Sequence, residues 1–139
     1  MNIYLCGPIS ALPIDQARQR FAQAEADLRA QFPHATTINP MTLPHQHADE
    51  WADYMREDIA ALMQCQAIAL LPGWEDSKGC RAEVGIASAL GDFAFYARDV
   101  HGAFFAITDS NVWNEFVFAG ARQLAAKLFS PKKHSNDGC

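Results

Sequence analysis

The chain has 139 residues, half of them hydrophobic, and a formal charge of −5. That length supports one domain with a full core and not two. The acidic balance argues against a surface that coats nucleic acid, and no apolar stretch reaches the length of a membrane span.

The N-terminus, MNIYLCGP, lacks a basic segment followed by a long apolar one, so it reads as a strand and not a signal peptide. A cytoplasmic location is the default expectation. Cys6, Cys65, Cys80 and Cys139 form no CxxC pair and no zinc spacing. Cys6 and Cys65 fall in apolar runs and read as small buried hydrophobes, and neither a metal nor a cofactor is expected.

Residues 3–6 form an apolar run ended by Gly7-Pro8, a first strand. Residues 14–31 carry Ala17, Phe21, Ala24 and Leu28 at helical spacing, stopped by Pro33. A second strand is expected at 35–39, then a proline-containing loop at 41–47 and a helix at 49–65. Residues 67–71 are continuously apolar, as a central strand covered on both faces would be. After the break at Pro72-Gly73-Trp74 comes a helix at 79–90, strands at 93–97 and 103–108, and a last helix at 112–129. The polar tail 130–139 has no apolar pattern and is expected to be disordered, leaving a single domain at 1–129. This alternation predicts an α/β, Rossmann-like (flavodoxin-like) three-layer sandwich with a mostly parallel five-stranded sheet.

Two carboxylates stand on helix faces that the periodicity turns inward. Asp58 shares a face with Trp51, Met55 and Leu62, and Glu83 shares one with Cys80, Ile86, Ala87 and Leu90. Burying a charge costs several kcal/mol unless it is paired or used. The two therefore suggest acid/base or nucleophilic chemistry. Glu83, in a first helical turn, has a second reading as a complement to the helix dipole. Nothing cationic occupies the face of Asp58, so its structural reading is weaker.

Ligands of open α/β sheets bind beyond the carboxyl ends of the strands. That rule gathers the loop from Gly7, the loop after the second strand and the loop 72–79. The first of these, GPISALP, offers backbone amides and the Ser10 hydroxyl to an anion, or is a plain strand-to-helix turn. Tyr4 is a core residue or a site residue. Trp74, between strand and helix, suits a pocket wall better than Trp51. Ser77 and Gly79 lead into the helix that carries Glu83. The five histidines form no set, which leaves a Ser-His-Asp triad unsupported.

Three runs, IYLCGPIS, YMREDIAALMQC and LLPGWEDSKGCRAEVGIASALG, together resemble the nucleoside 2-deoxyribosyltransferase superfamily, in particular short phage and bacterial domains within it. The resemblance covers about residues 1–92. It implies an enzyme that cleaves the bond between a nucleobase and C1′ of its sugar. Glu83 matches the nucleophile, Asp58 the aspartate that assists the leaving base or orients the reactants, and Tyr4 a tyrosine near the nucleophile. Six residues before the nucleophile, transferases of the superfamily carry an aspartate, whereas this chain has Ser77. Ser77 resembles the phosphate-binding serine of the nucleoside 5′-monophosphate N-glycosidases, with Gly7, Ile9 and Ser10 as further phosphate contacts. Asp76 takes the transferase position if a one-residue gap is allowed.

The resemblance therefore implies hydrolysis of a (deoxy)nucleoside 5′-monophosphate, with base exchange by a transferase as the alternative. A non-catalytic nucleotide-binding module is the reading from another class. The implied partner is a small nucleotide or nucleoside, with no nucleic-acid polymer and no membrane. Because sites of the superfamily are completed across subunits, a homodimer or larger homo-oligomer is implied, with Ser110, Asn111 and Asn114 as candidates by position. Gln66 departs from the pattern, standing where relatives carry aspartate.

Overall fold

In the computed structural model, residues 1–10, 12–45 and 49–107 are described. The expected helix at 112–129, the tail 130–139 and Ser110, Asn111 and Asn114 lie outside them.

The sheet has five strands in the order β2-β1-β3-β4-β5. They are β1 (Asn2–Cys6), β2 (Thr36–Ile38), β3 (Ala67–Leu70), β4 (Ala94–Arg98) and β5 (Phe104–Ala106). The first four run parallel, and β5 returns antiparallel to β4. This is the flavodoxin-like arrangement expected from the alternation of strands and helices. Buried on both faces, β3 is apolar throughout, AIAL.

The helices are α1 (Ile14–Gln31), α2 (Trp51–Leu62) and α3 (Lys78–Leu90). Strand alternation divides the core between them. Ile3 and Leu5 of β1 pack with Phe21, Ala24 and Leu28 of α1. Tyr4 and Cys6 point the other way, into a cluster with Leu62 of α2 and Cys80, Val84 and Ala87 of α3. Among the described residues no helix is long and apolar enough to cross a membrane.

Caps explain where the helix limits differ from expectation. Glu50 and Asp53 form a reciprocal capping box, so α2 starts at Trp51 and not at 49. Ser77 caps α3, and Gly91, at φ 80°, ends it. Two short 3-10 turns, Pro40–Thr42 and Trp74–Asp76, occupy what the sequence reads as loop. On α3 the inward face is Cys80, Glu83, Val84 and Ala87. Leu90, expected on that face, is exposed in the last turn before the glycine cap.

The strand order turns back at β1, with β2 on one side and β3 on the other, which puts the topological switch point at the carboxyl ends of β1 and β3. There the backbones close tightly, with the Leu71 amide donating to the Cys6 carbonyl at 2.8 Å. A Cβ on Gly7 would sit 2.9 Å from two Leu71 side-chain carbons, so this crossing requires glycine.

Candidate active site

Asp58 projects from the middle of α2 and is 4% exposed. Its Oδ1 lies 2.7 Å from Nε2 of His45, in the segment between β2 and α2. His45 adopts φ 44°, a left-handed backbone that is costly for a residue with a Cβ. The Asp58 contact and the Tyr54 ring, 4.9 Å away between centroids, hold it there. Burial pushes the Asp58 carboxyl above the ordinary aspartate range. The His45 contact pulls in the opposite direction but is outweighed, and Glu57 adds a smaller upward push.

The pair lines a cavity of about 390 Å³. Ile9 from the loop after β1, Arg18 from α1 and Met41 from the turn after β2 close its other walls. The volume falls in the range of small-molecule sites, and Arg18 supplies a cationic rim to an otherwise apolar wall.

Glu83 lies deeper, 1% exposed, one turn inside α3. The Cys6 thiol points at it, 3.9 Å from Oε1, and at the Cys80 carbonyl, also 3.9 Å. Tyr4, on the same face of β1, has its phenol pushed well above the ordinary tyrosine value. Burial is the largest cause, followed by the charges of Glu83 and Asp58 and then a hydrogen bond to Glu83. That bond is loose, because the hydroxyl meets no acceptor at ordinary hydrogen-bond geometry.

Residues 1–96 match the family model described as a domain of unknown function, DUF4406. The chain belongs to the DUF4406 family. No curated protein matches it.

In this DUF4406 chain Tyr4 and Glu83 are buried beside Cys6 and Cys80, whereas Asp58 faces the cavity next to His45, which Glu83 does not line. Ile9 reaches the Asp58 cavity and Gly7 sits at the switch point, while Ser10 is exposed on the same loop. Ser77 is buried, and its hydroxyl accepts the Cys80 amide hydrogen at 3.3 Å as the α3 cap. Gly79 is buried in the first turn of α3.

Trp74 is not brought to Asp58. It is 4% exposed in the core and borders a separate cavity with Leu70, Pro72 and Val100. Trp51 is half-buried, with the Lys78 ammonium 4.0 Å from its ring centroid. His45 is the residue that sequence reasoning missed. Its partner is thirteen positions away on another element, and periodicity within α2 carries no trace of it.

Proposed function

We propose that this protein cleaves the N-glycosidic bond of a (deoxy)nucleoside 5′-monophosphate and releases the base. The observation that carries the proposal is the pair of buried carboxylates, Asp58 and Glu83, both felt by one buried tyrosine hydroxyl. Environments that separate the roles of two carboxylates are the usual basis of glycosidic chemistry.

In this reading Glu83 attacks C1′ and forms a glycosyl ester while the C1′–N bond breaks. The bonding pair leaves with the base, which takes a proton from Asp58. Burial raises the Asp58 carboxyl above the ordinary aspartate value, the direction that a proton donor needs. Water then attacks C1′, loses its proton to a site carboxylate and frees Glu83. The Tyr4 hydroxyl orients the Glu83 carboxylate, Ile9 and Arg18 border the cavity that would receive the nucleotide, and Gly7 and Ser10 on the loop that carries Ile9 would contact its phosphate. With Ser77 in place of aspartate, hydrolysis is favoured over base transfer. The reading carries with it a cytoplasmic setting and a homo-oligomer that completes the site.

Chromatographic assay of base release from a panel of canonical and modified nucleoside monophosphates tests the proposal. Release that disappears in Glu83→Ala supports it. A panel without turnover, or an unimpaired Glu83→Ala protein, refutes it.

One observation favours a second reading, a nucleotide-binding module without catalysis. Glu83 is buried and does not line the cavity that Asp58 faces. Calorimetric binding of a nucleotide with no turnover would select this reading.

A further inference from the structure

We propose that Cys6, Cys80 and Glu83 form a binding site for a thiophilic divalent cation of the zinc and cadmium class. One ligand atom from each, the two sulfurs and a carboxylate oxygen, lie within 4.8 Å of one another. All three side chains are at most 1% exposed. The ligands sit on rigid elements, Cys6 at the end of β1 and Cys80 and Glu83 one turn apart on α3.

The spacing is close to what such a cation needs. Zinc–sulfur bonds of ~2.3 Å and zinc–oxygen bonds of ~2.0–2.2 Å place tetrahedral ligand atoms roughly 3.5–3.8 Å apart. Cys6 Sγ and Glu83 Oε1 are already at 3.9 Å. No pair of the three ligand atoms has to close by more than roughly 1.3 Å from the 4.8 Å bound.

The donor set selects the ion. Two thiolates and one carboxylate suit zinc or cadmium, whereas magnesium and calcium require a shell of oxygens. Binding releases one proton from each thiol, two in all, and the cation then offsets two of the three negative charges collected in a buried space. Sequence spacing hides the arrangement because Cys6 and Cys80 are 74 positions apart.

A consequence rests on the proposed function. A metal-bound Glu83 cannot attack C1′, so the cation inhibits base release.

The test uses the full chain, kept reduced, with Cd²⁺ as the probe. Equilibrium dialysis is expected to give one tight ion per chain, with the ultraviolet thiolate-to-cadmium absorption of two sulfurs. Cys6→Ser and Cys80→Ser should each weaken binding by at least roughly ten-fold, with Glu83→Gln weaker than wild type and Cys65→Ser unchanged. Circular dichroism, with Cys6→Ala as a second variant at that position, separates loss of ligand from loss of fold. Equal binding in Cys6→Ser and wild type overturns the site. So does a wild-type chain that shows no thiolate absorption. A Cys6–Cys80 disulfide, seen as a mass lower by two hydrogens with no cadmium bound, also overturns it. Cadmium bound at these residues with base release undiminished would remove the inhibitory consequence. Cadmium bound in a protein that never releases base would refute the proposed function and leave the metal site standing.

Discussion

Asp58 and His45 meet at 2.7 Å across the gap between α2 and the segment that follows β2. The contact holds His45 in a left-handed backbone and aligns a buried carboxylate that faces a cavity. Burial still dominates the titration of Asp58, and His45 moderates it.

Replacing the imidazole should therefore make Asp58 harder to ionise. His45→Asn keeps a side chain that tolerates the left-handed region. It removes the influence that, among the described residues, lowers the Asp58 pKa. The limb of the pH profile of kcat/KM assigned to Asp58 should move to higher pH. A limb that stays in place would separate the pair functionally.

Stability should respond to Asp58 in the opposite sense to activity. The folded carboxyl is held above its unfolded pKa, so ionising it costs stability as pH rises from the ordinary value of 3.8 through the folded one. Asp58→Asn removes that cost while retaining an acceptor for His45. Its Tm should exceed wild type at neutral pH, with the gap closing on acidification below 3.8. Base release should fall about a hundred-fold or more. A Tm gap independent of pH would show that ionisation is not the cause.

Removing the nucleophile should be the more severe change. Glu83→Gln keeps the shape of a fully buried side chain and deletes its charge. Base release should drop at least roughly a thousand-fold while thermal unfolding remains cooperative. Residual activity near the wild-type level would point to another nucleophile.

Two glycines should respond oppositely to alanine. At Gly7 the new methyl meets Leu71 at 2.9 Å, an overpacking expected to cost about 1–3 kcal/mol. At Gly85, exposed on α3, an added Cβ meets nothing within 4 Å, and improved helix propensity should stabilise by roughly 0.5–1 kcal/mol. Urea unfolding of both variants checks the pair, and a neutral Gly7→Ala would mean that Leu71 can move aside.

The fold was largely legible because its elements are dictated locally. Ala17, Phe21, Ala24 and Leu28 repeat at helical spacing, and a run such as AIAL has no stable place except between two layers. The inward turn of Asp58 and Glu83 was legible for the same reason. What escaped were contacts between elements. The His45 partnership, the convergence of Cys6 with Cys80 and the burial of Trp74 depend on how loops and helices pack across the sheet. Periodicity describes one element at a time and has no term for its neighbours. Leu90 shows the reverse error, since it keeps the apolar phase of α3 after the core has ended.

Ser77 carries two duties at once, because the hydroxyl that distinguishes hydrolase from transferase in the proposed reading also caps α3. Aspartate caps helix starts as well as serine does. Ser77 is 2% exposed, however, so an aspartate there would keep the cap only if its buried charge found a partner. In the proposed reading, a lineage crossing between the two chemistries at this position would have to supply a partner for a buried charge along with the new ligand contact.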